Sequence, residues 1–286
     1  MLTVVKVGGK LVDDPESLAA LARGLVALEG SVVVVHGGGP EITAWQERLG
    51  IPVEWNEGLR VTTPPGMQVT AMVLSGWMNK RLVAALLDAE GRAVGISGED
   101  GRLMEAERKR DGALGEVGQV VAIDIRPIEV LLHGGMIPVV SPVSRGPEGA
   151  PLNVNGDEAA IALAGSLGAD RLLLLSDVPG VLVDDEALES IDAERAAELV
   201  ASGAVTGGMQ VKVEMALEAA RQGVDVRIGN RTLLDDPEGG TCIRVNGSTA
   251  TLAEGPSVGG VESGEPKRGR AIAGAAARRA AREGRS

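Results

Sequence analysis

Short runs of β-branched and aliphatic residues recur along the chain, at residues 3–7, 31–36, 93–97, 137–141, 171–176, 224–229 and 241–245. Helical stretches separate them. Runs this short and apolar read as strands buried on both faces, so the alternation predicts an α/β fold: a mainly parallel open sheet with helices on both faces. The first helix is signalled by Asp14 as a cap, Pro15 at the first helical position, a stripe of Leu18, Leu21, Leu25 and Val26, and Gly30 after its end. A longer helical stretch over residues 66–90 carries Met67, Val69, Met72, Val73 and Leu74 ahead of Asn79, Lys80 and Arg81, and Gly76 inside it predicts a kink.

Residues 98–124 break this rhythm with Gly-rich, charged and alternating sequence, which predicts a β-hairpin excursion beside the ligand edge of the sheet. Residues 142–151 read as a loop. From Asn246 onward the periodicity ends: Gly, Ser, Ala and Pro lead to Lys267, Arg268 and Arg270, then to an Ala/Arg stretch. This tail, residues 246–286, is expected to be disordered, with a marginal helix over residues 271–282.

The 286 residues suffice for a large core, as one domain or two joined lobes. That core must be aliphatic, because the chain has three Trp, no Phe and no Tyr. An aromatic platform for stacking bases is thereby excluded. The net charge is −12, and residues 1–245 hold 21 Lys/Arg against 36 Asp/Glu, whereas a nucleic-acid partner demands a basic face. The acidity is read as a source of solubility. Cys242 stands alone, so no intrachain disulfide or Cys-based metal cage is expected; it reads as a small apolar residue in a terminal strand. The run at residues 2–7 is too short for a signal peptide and is broken by Lys6, and no run approaches a membrane span. A reducing cytoplasm is the expected compartment.

Two lysines, Lys6 and Lys212, each sit close to a glycine pair, Gly8-Gly9 and Gly207-Gly208. A strand-end lysine, exposed glycine N–H groups and a second lysine opening a helix describe a way to hold a phosphoryl group in flight. The first turn, Lys6 to Lys10, has neither the dinucleotide Gly spacing nor the Ser or Thr that follows Gly-Lys in a Walker loop. Alone it is equally a tight turn beside a snorkelling lysine. His36-Gly37-Gly38-Gly39-Pro40 repeats the arrangement at the second strand, where glycines admit a close ligand and Pro40 begins a helix. Both loops fall at carboxyl ends of strands, the usual ligand edge. His36 and His133 are assigned structural hydrogen bonds. Arg60 is either an exposed loop arginine or a fork for a carboxylate. Asp157 opens a helix, where the dipole alone accounts for it; the functional alternative sets its carboxylate between the two lysines, keeping both protonated. Asp177 follows another apolar strand and reads as a turn or a nucleotide contact.

The order of these pieces is specific. VKVGG, VHGGGPEI, GLRVT, MVLSGWMNK, VGISGEDGRL, LNVNGDEAA, LSDVPGV and VTGGMQVKV, spread over residues 1–245, resemble the amino acid kinase family, and within it the branch whose acceptor is N-acetyl-L-glutamate. The resemblance implies an acyl-amino-acid lobe over residues 1–170, an ATP lobe over residues 171–245, and the tail outside both. It implies that Lys6 and Lys212 stabilise the transferring phosphoryl group, that Asp157 organises them, and that Gly8, Gly9 and Gly38 donate backbone N–H groups around it. Gly38, Gly39, Arg60 and Asn153 match the acetylglutamate contacts, with Arg60 on the α-carboxylate. Asp177, Val178, Pro179, Gly180, Val181 and Leu182, with Ala204, Val205 and Thr206, match the ATP contacts.

The implied reaction moves the γ-phosphoryl group of ATP, with Mg2+ carried on the ATP and no metal site in the protein, to the side-chain carboxylate of N-acetyl-L-glutamate. It is the second step of arginine biosynthesis in organisms that acetylate glutamate. Three rival readings fit these residues less well. A kinase for aminoadipate or glutamate on an acidic carrier protein is disfavoured by the acidic body and by residues 58–62. Carbamate and uridylate kinase relatives have no need of Arg60 and Asn153. A non-catalytic amino-acid or nucleotide sensor has no need of Lys6, Asp157 and Lys212 together. Arginine-sensitive hexamers of the family carry an extra N-terminal helix, whereas here the first strand is expected at Thr3. The resemblance therefore implies a homodimer insensitive to arginine, with no nucleic-acid or membrane partner.

Overall fold

Valine and leucine runs flanked by glycine and proline have too few residues for a helix but enough to cross a sheet. The computed structural model describes residues 1–12, 14–56 and 59–245, the side chains of residues 9, 10, 55, 59 and 60 excepted. The tail expected at residues 246–286 lies outside them. The chain opens with β1 (Leu2–Val7), a 3-10 turn over Gly9–Val12, α1 (Pro15–Ala27), β2 (Ser31–His36) and α2 (Gly39–Arg48). A hairpin of β3 (Glu54–Asn56) and β4 (Leu59–Val61) leads to α3 (Pro64–Ala71), a π-helical stretch over Met72–Met78, α4 (Asn79–Asp88) and β5 (Ala93–Ser97). Next come β6 (Met104–Arg108), β7 (Val117–Ile123), α5 (Arg126–His133), β8 (Ile137–Ser141), β9 (Val143–Arg145), β10 (Pro151–Val154) and α6 (Gly156–Leu167). The rest holds β11 (Arg171–Leu175), the short β12 (Leu182–Val183), β13 (Glu186–Ala187) and β14 (Ser190–Ile191), α7 (Ala193–Ala201), α8 (Gly207–Arg221), β15 (Asp225–Gly229) and β16 (Thr241–Ile243).

Eight strands form one sheet in the order β14-β16-β15-β11-β1-β2-β8-β5. From β15 to β5 every pairing is parallel, and β16 runs antiparallel to β15. All seven expected runs lie in this sheet. Side chains alternate across it: Val4, Val33, Val35, Leu172 and Leu174 pack on one face with α6 and α8, while Val5, Val7, Val34, Leu173 and Leu175 pack on the other with α1 and α4. Both faces are thus buried, as continuous apolar strands require. Asp14 accepts from the Ser17 N–H at 2.9 Å and caps α1, with Pro15 behind it.

Three expectations are refined. The long helix is irregular around Gly76, where Met72–Met78 is a π-helical stretch. The excursion at residues 98–124 does contain an antiparallel pair, β6 with β7, but this pair closes into a four-stranded barrel with β9 and β10. Residues 142–151 are accordingly not all loop, because Val143–Arg145 is β9 and Val143 and Ser144 are buried. A three-residue strand is too short to register as periodicity. Among the described residues no helix is long and apolar enough to cross a membrane.

Candidate active site

Each chemical group is set by a strand end or a helix start. β1 brings Lys6 to the carboxyl edge of the sheet, between Leu174 of β11 and Val35 of β2. The two glycine loops adjoin there, with the Gly37 N–H donating to the Val7 carbonyl at 3.0 Å. α6 starts opposite them. Its cap, Asn155, accepts from the Asp157 N–H at 2.7 Å and fixes the first turn. The turn packs against both: a Cβ on Gly156 would stand in ordinary van der Waals contact with Lys6 Cε at 3.5 Å and Gly37 Cα at 3.7 Å.

The carboxylate of Asp157 then receives both lysines. Lys6 Nζ lies 2.9 Å from Oδ1, and Lys212 Nζ, one and a half turns into α8, lies 3.1 Å from Oδ1 and 3.0 Å from Oδ2. Burial alone raises the Asp157 pKa, but the charges and hydrogen bonds of Lys6 and Lys212 outweigh it and hold the carboxyl below its ordinary range. Burial lowers the Lys212 pKa, with the Asp157 charge opposing it and the Lys6 charge adding to it. An anion arriving beside Lys212 favours its protonated form.

A cavity of about 420 Å³ opens on this cluster, lined by Lys6, Gly8, Asp157, Asp177, Val178 and Lys212 with Leu11, Leu175, Ser176, Gly208 and Met209. The start of α8 faces it. Thr206 gives no side-chain cap there, and nothing stands within 4 Å of where a Cβ would sit on Gly207 or Gly208. A helix start left open in this way is an anion seat.

The other expected residues do not line this cavity. Gly9 begins the 3-10 turn. Gly38 caps α2 and Gly39 opens it; a side chain on Gly38 would meet Leu74 Cδ2 at 2.7 Å. Asn153 lies on β10 and donates from Nδ2 to the Thr62 hydroxyl at 3.1 Å. The Arg60 backbone lies on β4, paired with Trp55, and its side chain is outside the described atoms. Past Val178 the turn exposes Pro179 and buries Gly180 and Val181. Val181 donates its N–H to the Thr241 hydroxyl at 2.8 Å and accepts from the Leu188 N–H at 2.9 Å, so it braces the turn from inside. Leu182 begins β12. Ala204 and Thr206 are exposed before α8, while Val205 is buried with its N–H on the Leu199 carbonyl.

His36 has the expected structural part. Its Nδ1 faces the Gly37 carbonyl at 3.0 Å, which only accepts, so Nδ1 carries the proton and Nε2 accepts from Asn79 Nδ2 at 3.2 Å. Burial pushes its pKa down to about 4. His133 bonds the Glu129 carbonyl. Asn79, fully buried, also reaches the Val139 carbonyl at 2.9 Å and so pins the glycine loop to the sheet. Reading the sequence residue by residue gave Asn79 no role; the signal was an amide in an otherwise apolar helical face. Met209 lines the cavity too, and its only signal in the sequence is its place after the Gly207-Gly208 pair.

Known proteins resemble the chain in sequence and in fold. The sequence profile of the amino acid kinase family matches residues 1–230. The acetylglutamate kinase of Chloroflexus aurantiacus is 43% identical over 244 residues, covering 84% of this chain and 95% of that protein. That of Rubrobacter xylanophilus is 46% identical over 227 residues, 79% of this chain and 88% of its own. A solved structure from Streptococcus mutans superposes with a TM-score of 0.74 at 30% identity, over 85% of this chain and 98% of that one.

Proposed function

Because the chain belongs to the amino acid kinase family, we propose that it transfers the γ-phosphoryl group of ATP to the side-chain carboxylate of N-acetyl-L-glutamate, the second step of arginine biosynthesis. The observation that carries this reading is the convergence of Lys6 and Lys212 on Asp157 at the mouth of a cavity that an open helix start also faces. Kinases named for this substrate at 43–46% identity supply the acceptor. The test is ATP-dependent formation of an acyl phosphate, trapped with hydroxylamine, on offering N-acetyl-L-glutamate.

The acceptor carboxylate is ionised at neutral pH and needs no base. One of its oxygens bonds the γ-phosphorus as the bond from that phosphorus to the β–γ bridging oxygen breaks, giving the acyl phosphate and ADP. Catalysis is then alignment of two anions and compensation of their charge. Lys6 and Lys212 supply that compensation, and Asp157 fixes both ammonium groups before either substrate arrives. Gly8, Gly9 and Gly38 add backbone donors at the strand edge. The α8 start, with Asp177, Val178 and the rest of the 177–182 turn, and Ala204 to Thr206, borders the nucleotide side; Mg2+ arrives on the phosphates. Gly38, Gly39, Arg60 and Asn153 form the acceptor side, with Arg60 forking onto the α-carboxylate. Residues 1–170 thus serve mainly the acceptor and residues 171–245 the nucleotide.

The same reading takes the enzyme as a cytoplasmic homodimer. Met72, Trp77 and Leu87 are half or more exposed along the α3–α4 run, which packs beside β5, the last strand of the sheet. Large exposed apolar side chains on helices beside an open edge favour a second copy as their cover.

A further inference from the structure

Asp157 has a neighbour that reaches the other way. Glu158 is the third residue of α6 after the Asn155 cap, where a glutamate ordinarily bends back to the N–H of the cap. Here Oε1 accepts instead from the Val120 N–H of β7 at 2.9 Å, and Oε2 from Lys109 Nζ at 2.5 Å. Both partners belong to the small barrel or its connecting turn.

The topology explains why Val120 has a hydrogen to give. β10 pairs with β7 only through Asn153 with Val117 and Val154 with Gly118, then turns into α6. The Asn153 N–H meets the Glu116 carbonyl at 2.8 Å, so residues 116, 118 and 120 direct their backbone groups to this side. Beyond Gly118 no strand remains to pair with Val120, and Glu158 takes that place. On the opposite edge Ala106 faces Val120 and Glu105 faces Ala122, which makes Val121 a bulge that bends β7 at this point.

The turn that Glu158 grips also carries the β3–β4 hairpin. Lys109 begins a 3-10 segment, and directly after it Asn56 Nδ2 donates to the Ala113 carbonyl at 3.2 Å. The Thr62 N–H donates to the Leu114 carbonyl at 3.0 Å, and the Glu116 N–H to the Thr62 carbonyl at 2.7 Å. Thr62 in turn holds the Asn153 amide. Contacts therefore run from β4, which bears Arg60, through residues 113–116 and Lys109 to Glu158, and by one peptide to Asp157.

We propose that Glu158 is a positioning residue that locks the acceptor-side hairpin and barrel to the helix turn carrying Asp157, so that acceptor and lysines hold one geometry. The identity of the acceptor rests on the function proposed above. Two features set this apart from a plain brace: Glu158 leaves its own cap unaided, and both of its oxygens are spent on the acceptor-side unit.

The test uses full-length Glu158→Ala, Glu158→Gln and Lys109→Met, with kcat and both KM values, melting temperature and hydrogen exchange. For Glu158→Ala, kcat/KM for N-acetyl-L-glutamate is expected to fall about 10- to 100-fold, the cost of a misaligned reactant, while KM for ATP stays within about twofold. Glu158→Gln, which keeps an acceptor for Val120, and Lys109→Met fall between. Exchange in Glu158→Ala rises together in residues 113–120 and 156–159. A lower melting temperature with unchanged kinetic constants overturns the proposal and leaves Glu158 a brace. If the wild-type protein does not phosphorylate N-acetyl-L-glutamate, the function proposed above fails, and exchange decides this proposal alone: a joint rise supports it, and a rise confined to residues 113–120 overturns it.

Discussion

Lys6 Nζ and Lys212 Nζ, from β1 and from α8 far along the chain, bond the same oxygen of Asp157, at 2.9 and 3.1 Å. Two ammonium groups held this close repel each other, and the shared carboxylate opposes the loss of the Lys212 proton that burial and the Lys6 charge favour. Asp157→Asn keeps the shape and removes the charge. The expected loss of kcat is about 10²- to 10³-fold, as for removal of one preorganised electrostatic group. The high-pH limb of the rate profile, which reports deprotonation of Lys212, moves to lower pH in the variant, because the carboxylate opposing its deprotonation is gone. Initial rates from pH 6 upward check both outcomes.

His36 makes stability depend on acid. Its folded pKa is about 4 against 6.5 when free, so between those values the unfolded chain binds a proton that the folded one refuses. Stability from this residue is full above pH 6.5 and declines by about 3 kcal/mol as pH falls to about 4. Denaturant midpoints at pH 7, 5.5 and 4.5 measure the slope, and His36→Gln is expected to flatten it. Equal slopes in the two proteins would count against a neutral buried His36.

Asn79 satisfies His36 Nε2 and the Val139 carbonyl at once. Asn79→Leu leaves His36 Nε2 without its partner in the core, while the Val139 carbonyl keeps its sheet pairing with β5, and the expected cost is about 1–3 kcal/mol from unfolding curves. A cost below about 0.5 kcal/mol contradicts this role.

Gly38→Ala places a methyl 2.7 Å from Leu74 Cδ2 and 3.3 Å from Met78 Cγ, both on the buried helix run. Either these side chains or the loop must give way, and KM for the acceptor is expected to rise about tenfold or more while KM for ATP changes little, a split that steady-state kinetics with each substrate varied resolves.

Trp77→Glu replaces one of the large exposed apolar side chains of the helix run by a charge. The expected result is dissociation to monomers in light scattering, and an unchanged mass excludes this face as the dimer contact.

Much of this architecture was legible because the strands of the main sheet are continuous apolar runs: Val32 to Val35 admit no other buried element so short. Asp14, Pro15 and Gly30 likewise fix the first helix by local chemistry. The barrel was legible only in half. β6 and β7 alternate visibly, but β9 and β10 are three and four residues long, and their pairing is a tertiary event. The π-helical stretch was missed because Gly76 reads equally as a kink. The lysines and Asp157 were legible through their glycine neighbours and helix position. Glu158 was not, since nothing local in Asp157-Glu158 says that one carboxylate turns toward the lysines and the other toward β7.

The most direct test of the central claim is the rate of hydroxylamine-trapped acyl phosphate formed from ATP and N-acetyl-L-glutamate by the wild-type protein beside Lys6→Ala and Lys212→Ala. The expected result is turnover in the wild type and a loss of at least about 10²-fold in each variant, the effect of removing one positioned donor. Wild-type binding of both substrates without acyl phosphate, or near-normal turnover in both variants, would contradict the account.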